Sequence, residues 1–259
     1  MSIIHDQVKA ENIEKIKELI AESATIVNEK DSDGWTPLHF ATVFGSVDIA
    51  KLLLASGANA NAQSGDGVTP LHLAIENNER EIAKLLTTSG ADINTKNDDG
   101  ETALHLAVNL EYYEFVEFLV QSGSDVNLSE NMGETALHLA ARNGFLQMAE
   151  LFIAAGAAID AKNRYGCTPL FHAINMQHRD LIDLLLAKKA DVNIADNNGW
   201  TLVHEACEKE DIEILELLIN YGALVEVKDK NGESPYNIAS QREANDICEL
   251  LIKNGAKGE

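Results

Sequence analysis

Five of the eight histidines, His39, His72, His105, His138 and His204, recur at one constant interval, doubled only before the last. Imidazole is the commonest protein ligand for transition metals and the side chain that titrates nearest neutral pH, so this row is the first place to look for chemistry. The spacing argues against a metal centre. With each histidine on its own helix, neighbouring helices pack roughly 8–10 Å apart, whereas zinc needs every ligand nitrogen at about 2 Å. Each of the five follows a threonine by three places (Thr36, Thr69, Thr102, Thr135 and Thr201). That is the N3 place of a capping box, so these histidines are expected to start helices rather than to hold metal.

Other candidate chemistry is sparse. His172 and His178 lie outside the series, Phe171 takes the usual histidine place, and a His172–Glu205 contact is expected between neighbouring copies. No phosphate-binding glycine loop, nucleophile elbow, zinc-protease helix or dinucleotide fingerprint occurs. The cysteines Cys167, Cys207 and Cys248 are odd in number and form no C-x-x-C, which fits a reducing compartment. Cys167 is expected at a turn tip as an accessible but inert thiol. No catalytic residue, cofactor or metal is expected, and the chain reads as a non-enzyme. The excess of 42 acidic over 20 basic residues gives a net charge of −22. That disfavours direct binding to nucleic acid or to an anionic membrane, both of which need a supply of Lys and Arg. Residues 1–15 show no apolar leader, and no apolar run approaches the roughly 20 residues of a membrane span. A cytoplasmic protein is expected.

The elements that position these residues follow from a repeat. Gly34, Gly67, Gly100, Gly133, Gly166, Gly199 and Gly232 mark seven copies with a period of about 33 residues. Thr or Ser stands two places after each glycine and Ala seven places after, and all four prolines share one place. In the first copy Gly34 suits a turn, Thr36 an N-cap and Pro37 the first helical position. Leu38, Ala41 and Thr42 share one helical face. Gly45 permits a break, and the pattern predicts a second helix over 47–55 with Ile49, Leu52 and Leu53 inward. Gly57 suits a left-handed stop. Lys189 replaces that glycine in the fifth copy.

The run Asp31 to Ala41, containing Thr36-Pro37-Leu38-His39-Phe40-Ala41, resembles the signature of the ankyrin repeat. The resemblance implies an all-α solenoid of stacked helix–turn–helix units with projecting β-turn or hairpin loops. It covers residues 31–256 in seven copies, the last acting as a C-terminal cap. Residues 1–30 read as a degenerate N-terminal cap, with Leu19 and Ile20 in register with Leu52 and Leu53, and 257–259 as a tail. Asn61, Asn94, Asn127 and Asn193 recur after the second glycine turn and are expected to hydrogen-bond there. The resemblance also makes such asparagines possible substrates of asparaginyl hydroxylases.

The resemblance implies protein binding on a concave face made of turn tips and first helices. Counting from the tip glycine, offsets 4, 7 and 8 face inward, so offsets 6, 9 and 10 are expected on the open face. That face and the tips nominate Trp35, Phe40, Val43, Phe44, Asp66, Val68, Asp99, Glu101, Leu110, Met132, Glu134, Arg142, Tyr165, Met176 and Trp200. Exposed aromatics are the usual interface anchors. The tips of copies one to four carry acids and no Lys or Arg between offsets −3 and +1. The expected partner is therefore a protein with apolar anchors and a basic stretch, bound by a monomeric adaptor, inhibitor or masking factor. Two alternatives share the composition: an acidic decoy occupying a nucleic-acid-binding surface of another protein, and a binding effector delivered into a host cytosol by an intracellular microbe.

Overall fold

A computed structural model describes residues 2–258. The chain divides into two compact units, Met1–Asn131 and Met132–Glu259. In the first unit the helices are α1 (Ile3–Lys9), α2 (Ile13–Glu22), α3 (Pro37–Val43), α4 (Val47–Ala55), α5 (Pro70–Glu76), α6 (Arg80–Thr88), α7 (Ala103–Asn109) and α8 (Tyr113–Gln121), with a 3-10 helix at Ala24–Asn28. In the second they are α9 (Ala136–Asn143), α10 (Leu146–Ala154), α11 (Pro169–Asn175), α12 (Arg179–Ala187), α13 (Leu202–Glu208), α14 (Ile212–Asn220), α15 (Pro235–Gln241) and α16 (Asn245–Lys253). Among the described residues no strand forms, and no helix is long and apolar enough to cross a membrane. The architecture is the expected all-α repeat solenoid, built of helix pairs.

The histidine row starts the first helices and also ties repeats together. Thr36 is extended, and its N–H and Oγ1 meet His39 Nδ1 at 3.0 and 2.8 Å. Because Nδ1 accepts from a backbone N–H, the ring proton sits on Nε2, which donates to the Val68 carbonyl in the next repeat at 3.1 Å. His72 reaches Glu101 O, His138 reaches Cys167 O and His204 reaches Glu233 O in the same way. His5 joins the series: Ser2 caps α1 and His5 Nε2 donates to Trp35 O at 3.1 Å. It stands one place too early for the repeat register, because α2 has ten residues where the later second helices have nine.

Each first helix is only two turns long, and within a unit successive first helices lie side by side. Within the units α3 packs on α1 and α5, α5 on α7, and α11 on both α9 and α13. This corrects the expectation for offset 6. Leu73, Leu106, Leu139 and Ile238 are buried, leaving offsets 9 and 10 as the open edge. On the second helix of the first copy, Ile49, Ala50 and Leu53 form the buried stripe, and Leu52 is only half-buried.

The tips are held by polar staples. Asp31 Oδ1 accepts from the N–H groups of Asp33 and Trp35 at 3.0 and 2.9 Å. Asn163, Asp196 and Asp229 do the same at the equivalent place. Successive tips are also bonded: Asp33 O accepts from Gly65 N and Asp66 O from Asp98 N. A Cβ on Gly67 would lie 2.9 Å from Asp98 N at φ +73°, so only glycine allows this approach. The asparagine series braces the opposite turns. Asn61 donates to Gly90 O and accepts from Asp92 N, and Asn193 bridges Gly222 O and Leu224 N likewise.

Lys189 keeps the left-handed stop without being glycine, at φ +66°. A non-glycine residue there costs about 1–2 kcal/mol. Lys189→Gly is therefore expected to raise stability by about 1 kcal/mol, net of the entropy a glycine adds to the unfolded chain. An unchanged or lower urea midpoint would contradict this account of the turn.

Candidate functional site

In the first unit the open edge runs along α3, α5 and α7 and their tips. Phe44 is 50% exposed and Leu110 40%. They are equivalent residues two repeats apart, with Asn77 between them donating its amide to Leu73 O. Trp35 and Phe40, expected as anchors, pack into the molecule. Phe40 meets the Trp35 ring at 5.2 Å and the His5 ring at 5.4 Å, and Lys9 Nζ lies 4.4 Å above it. Val43 and Val68 are half-buried, and Val68 also supplies the carbonyl that holds His39. Asp66 and Asp99 are exposed, and their carbonyls accept from the next tips.

The acids of this edge have no cationic partner. Among the described residues, Asp33, Asp66, Asp98, Asp99, Glu76 and Glu101 form no ion pair, and the first unit's ion pairs lie on its second helices, at Lys15–Glu18, Lys17–Glu14, Lys51–Glu81 and Arg80–Glu114. Lys30 and Lys96, just before the tips, donate to the Gln63 and Ser129 carbonyls. Burial, followed by repulsion from Glu101, pushes the Glu76 carboxyl above its ordinary range.

On the corresponding edge of the second unit, bases at the ends of the first helices are paired with acids. Lys209 pairs with Glu205 at 3.7 Å, and Arg242 pairs with Glu208. Glu134, expected on an exposed acidic tip, is buried. Its carboxylate meets Arg142 Nη1 at 2.5 Å, His172 Nε2 at 3.0 Å and Asn163 Nδ2 at 3.4 Å. Burial pushes this carboxyl up, but His172, Arg142 and Asn163 together outweigh it and hold it below its ordinary range. His172 Nε2 thus meets Glu134 and, at 3.3 Å, Asn163 Nδ2, whereas Glu205, the contact expected for it, accepts from Trp200 Nε1 at 3.0 Å. Trp200 also stacks on His204 at 5.1 Å. Met132, Tyr165 and Met176 are exposed.

His39 and His138 offer no acid–base chemistry at neutral pH. Burial pushes His39 and His138 down to about 4, only partly opposed by their carbonyl bonds. Burial, with Asp196, Glu205 and Glu134 adding, pushes half-buried Cys167 up to about 11, so it is an inert thiol. Burial likewise pushes Cys207 up to about 12. No group of three or more His, Cys, Asp or Glu side chains among the described residues is placed to hold a metal ion.

Phe44 and Trp35 separate surface from packing. Phe44→Ala is expected to leave the unfolding midpoint almost unchanged, since an exposed apolar side chain contributes little. Trp35→Ala is expected to cost about 1–2 kcal/mol through its lost contacts with Phe40 and His39. Equal effects in thermal or urea unfolding would show that the two rings are not placed as described.

Helix pairs joined by stapled tips, with Thr-x-x-His at five of the first helices, define the class. A sequence profile described as ankyrin repeats (three copies) matches residues 1–64, 56–130, 104–196 and 178–259. The chain belongs to the ankyrin repeat family, whose arrays are protein–protein interaction modules. Short stretches resemble individual curated proteins. Over 47 residues, 18% of the chain, it is 47% identical to ankyrin repeat domain-containing protein 49 of Drosophila melanogaster, covering 22% of that protein. Over 55 residues, 21% of the chain, it is 38% identical to protein phosphatase 1 regulatory subunit 27 of Mus musculus, covering 35% of it. Over 54 residues, also 21% of the chain, it is 39% identical to a transient receptor potential cation channel subfamily A member 1 homologue of Caenorhabditis elegans, covering 4% of that protein. The chain spans well under two thirds of each.

Proposed function

We propose that the first unit binds a protein segment carrying apolar and basic side chains along the open edge of α3, α5 and α7. The observation that supports this reading is the contrast in charge compensation. Phe44 and Leu110 stand exposed among six acids that form no ion pair among the described residues, while the basic residues Arg142, Lys209 and Arg242 of the second unit's edge are each paired with a glutamate. A partner bringing Lys or Arg gains on-rate and selectivity from the acids, and affinity from burying the two apolar side chains. Such binding is adaptor or masking activity, with no chemical step. The short likeness to a protein named as a phosphatase regulatory subunit is in keeping with regulation by binding.

The test is capture from lysate by the wild type beside Phe44→Ala/Leu110→Ala, at low and at physiological salt. The expected result is a partner held by the wild type and lost by the folded variant. A partner that the variant retains and salt alone releases would replace this reading with that of an acidic decoy.

A further inference from the structure

The fourth repeat shows what the third repeat lacks. Glu101 and Glu134 occupy the same repeat position, and so do Asn109 and Arg142, each pair one repeat apart. Arg142 reaches back along the chain to Glu134 Oε2 at 2.5 Å. Asn109 makes the equivalent reach to Glu101 Oε1 at 3.2 Å, with a neutral amide in place of a guanidinium. The carboxylate of Glu101 is fixed, because Asn97 Nδ2 donates to its other oxygen at 3.4 Å and Asn97 Oδ1 holds its backbone N–H at 2.8 Å. Glu76 precedes Asn109 by one repeat in the same column, and its carboxyl feels the charge of Glu101. Glu101 therefore presents its carboxylate at a place that the chain itself fills with arginine one repeat further on, and Glu76, exposed in the neighbouring repeat, adds a second negative charge near it. Phe44 and Leu110 flank that place along the edge.

We propose that the partner of the first unit places an arginine guanidinium between Glu76 and Glu101, as Arg142 does for Glu134, with its apolar side chains against Phe44 and Leu110. This rests on the reading of that edge as the binding face and adds the chemistry of its central contact. Arginine is favoured over lysine because its planar fork donates to two carboxylates at once, whereas an ammonium acts as a compact point charge. The same argument makes Asn109 the position at which the protein can block itself. An arginine there would occupy the place in cis.

The experiment titrates the full chain with nona-arginine and, separately, nona-lysine at low salt, reading fluorescence anisotropy of the labelled peptides. Nona-arginine is expected to bind at least about 5-fold tighter than nona-lysine. Glu76→Gln/Glu101→Gln is expected to weaken nona-arginine about 10-fold or more, against about 2-fold for Asp66→Asn/Asp98→Asn, which removes the same charge from the tips. Asn109→Arg is expected to match the double glutamine variant while keeping wild-type helicity by circular dichroism. Equal affinities for the two peptides, equal losses in the two charge-matched variants, or wild-type affinity in Asn109→Arg would each overturn the guanidinium site and leave a diffuse acidic face standing. No binding of either peptide to the wild type would overturn both the site and the reading beneath it.

Discussion

Taking the protein from pH 7.5 to pH 5 is expected to remove about 4 kcal/mol of unfolding free energy, through His39 and His138 alone. Each ring is fully buried, accepts a backbone N–H at Nδ1 and donates at Nε2 to a carbonyl of the next repeat. A second proton has nowhere to go without breaking the cap, and burial holds both groups at about 4. In the unfolded chain they titrate near the ordinary value of about 6.5. Above that value neither state is protonated and stability does not change. Below it the unfolded state binds protons first, so stability falls as the pH drops towards 4. At pH 5 the difference amounts to about 2 kcal/mol for each ring. His72 and His204 are lowered by burial in the same sense and steepen the fall. Urea midpoints against pH measure it, with imidazole NMR reporting the site values. Rings at positions 39 and 138 that titrate near 6.5, or a flat midpoint between pH 7.5 and 5, would refute it. The chain supplies its own control. At the equivalent place Asn237 Oδ1 accepts from Ser234 N–H at 3.0 Å, so His39→Asn keeps a cap while removing one titrating group. Its loss of stability on acidification is expected to be smaller than the wild type's by the share of one ring, about 2 kcal/mol.

The sequence announces this fold because every repeat repeats its own reasons. Thr-Pro-Leu-His carries cap, first helical residue, core and bridge in four letters, and Gly67 reports an approach too close for a side chain. The open edge was harder to read, because helix periodicity gives one buried stripe whereas a first helix in a stack is covered on three sides. Leu73, Leu106 and Leu139 thus leave the expected face, and Phe40 is half-buried against Trp35 and against His5 and Lys9 of α1, whose histidine is set off the repeat register by the extra residue of α2. Charge was legible as a sum but not as pairing. Asp31 looked like free negative charge and is a staple for its own turn. Glu134 looked like another acidic tip, yet Arg142, two helical turns on, and His172 in the next repeat were already signs of a buried cluster. At offset 6, His172 and Glu205 interrupt an otherwise apolar series.

That interruption yields the second large effect. Arg142→Val/His172→Leu is expected to cost about 3 kcal/mol or more, since it strips the Arg142 guanidinium and the His172 imidazole from a carboxylate that is 8% exposed. Each replacement is native to the same column elsewhere, Val43 in one and Leu73, Leu106 and Leu139 in the other. The loss is therefore not a matter of fit alone. Adding Glu134→Val, the residue present as Val68 at the same place in an earlier repeat, removes the orphaned charge and is expected to restore most of the loss, because a packed apolar replacement of a buried ion cluster is often neutral or stabilising. The triple variant is thus expected to be more stable than the double, an inversion that simple summing of lost contacts does not give. Urea unfolding of the three proteins gives the energies, and hydrogen exchange places the weakening at 136–143 and 169–175. A double variant as stable as the wild type, or a triple variant no better than the double, would mean that Glu134 is not held by these partners. Nona-arginine affinity at the first unit is expected to be the same in all three, because the site between Glu76 and Glu101 uses none of the substituted side chains. The cluster thus separates the two roles of one column: a glutamate that the chain satisfies by itself in the fourth repeat, and one that it leaves for a partner in the third.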